Sequence, residues 1–186
     1  MHPLQKRALA YIERKGTRAT WAEIREKARE TLLQVEGLIA GLDSETAARQ
    51  PAKGGWTVHE VVDHLVESHR PGVQHLRSLL QGRRPADEPV PASLQSSRPF
   101  SQKWADLSRQ LSEIHRDYFA LLDGAPEALP DVTGPIAMVL KVPSADGPPE
   151  LLEWTQELGA KAQALCLRIH THEHLDQIRR IVEEVD

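Results

Sequence analysis

Four long segments of the chain place apolar residues three and four positions apart, and this spacing restricts the fold more than any other feature. Such a repeat gives an α-helix one apolar face. We predict helices from about Thr20 to Leu42, Thr57 to Gln81, Ser101 to Leu122, and Glu150 to Glu184. Strand–helix alternation, internal repeats and glycine-rich phosphate loops are absent from the sequence. Four amphipathic helices therefore predict an all-α four-helix bundle.

Two helix starts carry a capping box, in which a Ser or Thr is followed three residues later by Glu or Gln. Thr20 with Glu23 marks the first helix, and Thr57 with Glu60 marks the second. Pro71 lies inside the second helix and has no backbone N–H to donate. We expect it to kink that helix or to divide it.

Long connections join helices two and three and helices three and four. The first, "GRRPADEPVPASLQSSRP", is rich in proline, and the second contains the apolar run "IAMVLKV". That run fits either a short strand or one apolar helical turn. Connections of this length in a compact domain are usually functional or disordered. We expect both to fold over one end of the bundle and to form walls of a pocket.

The charge balance argues against a nucleic-acid-binding protein, because the net charge is −4 and the pI is about 6.1. A basic cluster near the N-terminus is interpreted as a solvated face or a frayed arm. Its members are Lys6, Arg7, Arg14, Lys15 and Arg18.

Cys166 is the one cysteine, so no intrachain disulfide can form, and a reducing compartment is expected. No apolar run resembles a signal peptide or a membrane span. We predict a cytoplasmic protein that binds neither nucleic acid nor membrane. Residues 1–186 are expected to form a single helical domain, with 1–19 as an N-terminal extension and with homodimerisation as a plausible state.

The sequence "HTHEH" places three of the nine histidines of the chain within residues 170–174. With about 100° per helical residue, His174 lies only about 40° from His170, whereas His172 lies on the opposite side. A His pair at i and i+4 is one of the simplest metal chelates that a helix can form. The alternative is a polar helix face without a metal.

His64 is the best candidate for a third ligand, because it lies at the edge of the apolar face of helix two. Taken alone, it would be read as a hydrogen-bonded core histidine. Among the neighbouring carboxylates, Glu67 is the better candidate to orient a ligand histidine, since Glu60 already belongs to a capping box.

The motifs "GGWTVHEVVDHLVESHR" and "HTHEHLDQIRR" resemble those of the DinB/YfiT-like superfamily. The shared features are Trp56-Thr57, His64-Leu65, and His170-x3-His174-x2-Gln177-Ile178. The resemblance implies a four-helix bundle with long loops between helices 2–3 and 3–4. It also implies one divalent metal bound by three histidines, here His64, His170 and His174. The segment "KVPSADGPP" departs from the family pattern, which leaves the pocket wall and the substrate undefined.

The resemblance implies zinc or nickel as the metal, with iron or manganese as further options. It implies a thiol S-transferase or a related hydrolase, acting on a small molecule with a low-molecular-weight thiol as cosubstrate. A non-catalytic metal-binding or stress-response protein is the alternative. A diiron bundle is disfavoured, because the Glu-x-x-His spacing that it needs is missing.

Several residues near the predicted site have both a functional and a structural interpretation. Gln177 is either a partner of His174 or a hydrogen bond between helices. Glu173 is more readily a solvated charge, and Cys166 more readily a small apolar side chain than a reactive thiol. Trp56 and Trp154 are each expected to begin a helix and to pack there.

Overall fold

The computed structural model describes residues 1–85, 88–91, 93–142 and 150–185. The described residues contain α-helices and one antiparallel hairpin. In chain order the elements are α1 Pro3–Arg18, α2 Trp21–Ala40, α3 Ser44–Ala48, α4 Val58–Leu80, α5 Trp104–Asp123, β1 Gly134–Val142, β2 Glu150–Leu158 and α6 Ala160–Val185.

The four long helices α2, α4, α5 and α6 form the bundle, which confirms the predicted fold class. Each of them packs against two neighbours, in the cyclic order α2, α5, α4, α6. Pro99–Ser101 form a short 3-10 helix before α5. The apolar faces meet in two groups of buried side chains, one around Val62 and Leu111 and the other around Leu76 and Leu32. α4 contributes to both groups, so the middle of α4 lies at the centre of the bundle.

Both predicted capping boxes are present, at Thr20–Glu23 and at Thr57–Glu60. The alternative that Pro71 divides the helix was wrong, because α4 continues through it. Proline removes one backbone hydrogen bond, and the surrounding side chains keep the helix continuous. Val73, Leu76 and Leu79 are buried just beyond the proline. Their burial outweighs the few kcal/mol that an internal proline costs.

We expect Thr57→Ala to lower the free energy of unfolding by about 1 kcal/mol. The Thr57 hydroxyl accepts from the Glu60 backbone N–H at 3.2 Å, and the Glu60 carboxylate accepts from the Thr57 N–H at 2.8 Å. Alanine removes the first of these bonds, whereas Thr57→Ser keeps it. Urea unfolding of both variants checks the prediction. Equal midpoints for Thr57→Ala and Thr57→Ser would contradict it.

The predicted start of the last helix was wrong. Residues 150–158 form strand β2, which pairs with β1 in a register that places Gly134 opposite Leu158 and Val142 opposite Glu150. Exposure alternates along β2, with Trp154 on the more buried face, so Trp154 does not begin a helix. This alternation has the period of a strand. Helix α6 begins only after Gly159, at Ala160.

The same hairpin decides the open question of "IAMVLKV", which lies in β1. The following residues 143–149, which hold most of "KVPSADGPP", lie outside the described residues.

The basic N-terminal stretch is the ordered helix α1 and not a frayed arm. Its apolar side chains Leu9 and Ile12 are buried, and the helix packs against α6. The approach is close at Gly16, where an added Cβ would lie 3.2 Å from the Cβ of Ala162. Most of its cations are exposed, as the solvated-face interpretation predicted. Among the described residues, no helix is long and apolar enough to cross a membrane.

Candidate metal centre

Three imidazole rings converge in the middle of the bundle. The Nε2 atom of His170 lies 2.9 Å from Nε2 of His64 and 3.1 Å from Nε2 of His174. Each of the three residues offers a ligand atom within 4.8 Å of the other two. The side chains predicted as ligands are therefore brought together by the fold.

Two helices place these rings. His170 and His174 lie one turn apart on α6, and His64 faces them from α4. His172 points away, as the helical geometry predicted: its side chain is 49% exposed, and it pairs with Asp176 at 3.3 Å. "HTHEH" thus directs its first and last histidines at the cluster and its middle histidine outward.

The other nitrogen of each ring is already engaged. Nδ1 of His64 donates to the Leu94 carbonyl at 2.6 Å, and Nδ1 of His174 donates to Oε1 of Gln177 at 2.8 Å. A neutral imidazole has one N–H, so these two rings both present bare Nε2 lone pairs to Nε2 of His170. Lone pairs that face one another repel unless a proton or a cation lies between them. The donor set therefore fits a bound metal ion.

Burial keeps these rings neutral. It lowers the pKa of His64, and it lowers the pKa of His174 to about 4. The pKa of His170 falls well below its usual value, first through burial and then through the neighbouring histidines. Neutral imidazole is the form that binds metals, so protons do not compete for these nitrogens near pH 7.

The proline-rich connection between α4 and α5 forms part of the site. Besides the Leu94 carbonyl, Ser96 donates from its backbone N–H and its hydroxyl to the Asp63 carboxylate at 2.9 and 2.7 Å. Trp56 adds a wall, with its ring centroid 5.1 Å from that of His64 and 6.3 Å from that of His174. The loop therefore packs against α4 beside the cluster, and its role as a pocket wall stays a prediction.

Two of the proposed outer carboxylates lie elsewhere. Glu67 pairs with Arg70 at 3.5 Å, and Glu60 caps its own helix. Burial raises the pKa of Glu173, which contacts none of the three histidines through a described hydrogen bond. Burial also raises the pKa of the Cys166 thiol to about 12, which makes it a poor nucleophile.

Sequence reasoning missed His69 and the Leu94 carbonyl as partners of the cluster. Nε2 of His69 lies 3.1 Å from Nδ1 of His170. Both ends of "HLVESH" therefore face the site, and the second histidine of that motif was the available signal. A backbone carbonyl in a loop leaves no such signal.

The sequence match agrees with this geometry. The sequence model of the DinB superfamily matches residues 26–178, which is most of the chain. The chain belongs to the DinB superfamily. The matched region begins within α2 and ends in α6 at Ile178, so it includes all three clustered histidines and leaves out α1. No curated protein matches the chain at a significant level.

A solved structure of similar fold is YfiT from Bacillus subtilis. It is described as a probable metal-dependent hydrolase with an unusual four-helix bundle topology. The similarity covers 89% of this chain and 87% of YfiT, at 15% sequence identity and a TM-score of 0.61. At this identity the similarity establishes the bundle topology.

Proposed function

We propose that this DinB-superfamily protein is an enzyme that depends on a divalent metal bound by His64, His170 and His174. The observation that carries the proposal is the convergence of three Nε2 atoms from two helices, 2.9 and 3.1 Å apart. Two of these rings have their Nδ1 protons already donated elsewhere. The description of YfiT as a probable metal-dependent hydrolase supports the same proposal.

A zinc-like ion held by His64, His170 and His174 would supply an exchangeable position and would lower the pKa of a water or thiol there. The residues of the chain have separate roles around it. Leu94 and Gln177 hold two of the rings by their Nδ1 protons, and Trp56 covers one side. Lys141 on β1 lies near enough to lower the pKa of His174, so it also adds positive charge beside the cluster. An anionic nucleophile or substrate would be favoured there.

For the reaction we propose thiol S-transfer, with hydrolysis as the alternative. In the first, a low-molecular-weight thiolate attacks an electrophilic carbon, forms a C–S bond and displaces the leaving group; the thiol proton passes to solvent. In the second, water takes the place of the thiol. We further propose that zinc or nickel is the metal and that the partner is a small molecule.

The test begins with protein purified without a histidine tag, whose metal content is measured by elemental mass spectrometry. The chelator-treated protein, reloaded with zinc or nickel, is then assayed with a chloronitrobenzene plus several low-molecular-weight thiols, and with nitrophenyl esters. We expect about one metal per chain and a turnover that disappears on chelation. Failure to bind either metal would contradict the proposal.

Cobalt substitution separates an enzyme from a non-catalytic metal protein. An open position lets an added thiol bind and change the visible spectrum of the cobalt form. A spectrum that no thiol, azide or imidazole alters would indicate a closed site and would contradict the catalytic proposal.

A further inference from the structure

Behind the three-histidine cluster, two more buried histidines lie between α4, α5 and α6. His69 and His115 are 3% and 1% exposed, and their ring centroids are 6.0 Å apart. His69 contacts the cluster through Nδ1 of His170 at 3.1 Å. Each buried imidazole needs a hydrogen-bond partner for both of its nitrogens, so a partner can be sought for each nitrogen in turn.

His115 is anchored at its outer side. Its Nδ1 donates to Oε1 of Glu36 on α2 at 2.8 Å, and the Glu36 side chain is 30% exposed. With the proton on Nδ1, Nε2 of His115 is a bare acceptor. That Nε2 is buried and has no partner among the described side chains and backbone groups.

A small cavity lies beside both rings. Its lining includes His69, His115, Tyr118 and Thr171, and the centre of a water molecule can lie anywhere within about 10 Å³ of it. The cavity thus has room for one water, which also needs two to four polar partners. The Tyr118 and Thr171 hydroxyls already donate to the carbonyls of Ala164 and Leu167, at 2.8 Å each. Their oxygens can still accept a bond from a water.

We propose that one buried water in this cavity joins His69 to His115, so that a continuous hydrogen-bonded chain runs from His170 to Glu36. The chain acts as a positioning device that keeps the His170 proton on Nδ1 and its Nε2 lone pair directed at the three-histidine cluster. The effect of this chain on metal binding rests on the proposed function. The presence of the water does not depend on that function.

The proton directions along the chain are consistent. Nδ1–H of His170 donates to Nε2 of His69, which leaves the His69 proton on its own Nδ1. That N–H donates to the water, the water donates to Nε2 of His115, and His115 donates to Glu36. Every donor points away from the cluster, and the chain ends at a carboxylate, which can only accept. Outer partners of this kind fix the tautomer of a ligand histidine and strengthen it as a ligand.

The first experiment measures zinc affinity by chelator competition. We expect His69→Leu to weaken binding by about 10- to 100-fold. His69→Gln, whose carbonyl oxygen can accept from His170, should stay closer to wild type. His115→Leu should give a smaller loss than His69→Leu. The loss in the double variant should be less than the product of the two single losses, because both changes break one chain.

His59→Leu is the matched control, since His59 is a buried histidine of the same helix whose Nε2 lies 3.0 Å from the Pro99 carbonyl. Its zinc affinity should equal that of wild type. Long-range proton–nitrogen NMR of the zinc form adds a readout that a loss of packing would not mimic. It should show protons on Nδ1 of His170, His69 and His115. Unchanged affinity in His69→Leu, or a proton on Nε2 of His115, would overturn the proposal.

A crystal structure of the metal-free protein tests the water alone. We expect one water within about 3 Å of both Nε2 of His115 and the His69 ring. An empty cavity would overturn the proposal whatever the metal content. If the water is present and the protein binds no metal, the proposed function fails while the chain remains.

Discussion

Replacing His170 by alanine is expected to abolish stoichiometric metal binding, whereas the same change at His172 leaves it intact. His170 lies at the centre of the cluster, with its Nε2 next to the Nε2 atoms of His64 and His174. Structural zinc sites with four ligands are worth roughly 10–16 kcal/mol, so one ligand accounts for roughly 3 kcal/mol. That corresponds to an affinity loss of about 100-fold or more.

His172 provides a stringent comparison, because it is a histidine of the same helix two residues away. Its ring is half-exposed and pairs with Asp176. Both variants remove one imidazole from α6, so metal binding that depended only on the number of histidines in the helix would fall equally in the two. Metal content after dialysis, measured together with the unfolding midpoint of each metal-free variant, distinguishes the cases. Equal metal retention by the two variants would contradict the three-histidine site.

The metal-free protein is expected to lose stability steeply as the pH falls below about 6.5. The folded protein keeps its clustered histidines neutral, and burial is the main cause of the lowered pKa values of His64, His69, His170 and His174. The unfolded chain takes up protons near the usual histidine pKa of 6.5. Between the two pKa values the unfolded state binds more protons, so stability rises with pH and is lost on acidification.

The pKa of His174, lowered from 6.5 to about 4, corresponds to roughly 3 kcal/mol when the pH reaches the lower value. Carboxylates with lowered pKa values, such as Glu23 and Asp43, titrate below about 4.5. The window between pH 6.5 and 5 therefore reports mainly the histidines, while Glu173, whose pKa is raised by burial, acts there in the opposite direction. Urea unfolding across this window checks the slope.

The double variant His170→Leu/His174→Leu should flatten that slope, because it removes two of the groups that must stay neutral. Bound metal should also oppose the loss of stability until protons displace it. Parallel profiles for the double variant and the metal-free wild type would show that the cluster does not control the acid response.

The fold was largely predictable because its elements depend on local patterns. Thr20 and Thr57 mark helix starts through their own side chains, and the repeating apolar residues define the buried faces. The exception was the stretch before α6. Its mixture of leucine, glutamate and tryptophan suits a helix locally, and the strand forms because β1 provides a partner. Pairing between distant segments is the kind of information that a local pattern lacks.

The site was predictable only in its innermost part. The i and i+4 spacing of His170 and His174 can be read from the helical repeat, and His64 from its place at the edge of the apolar face together with the family resemblance. The partners that hold these rings come from three different places: Gln177 on the same helix, His69 on the opposite helix, and the Leu94 carbonyl in a loop. Only the first has a fixed sequence separation from its ligand. A further contact, between His115 and Glu36 on α2, joins residues 79 positions apart, and no local pattern indicates it.

The bond from His64 to the Leu94 carbonyl has an evolutionary consequence. The acceptor is main chain, so any residue at position 94 supplies it, and the side chain there is free to diverge. Insertions or deletions in the connection would move the carbonyl and turn the His64 ring with it. Changes in the length of this loop, rather than replacement of the histidines, are thus a way for related proteins to evolve different reactions around the same three histidines.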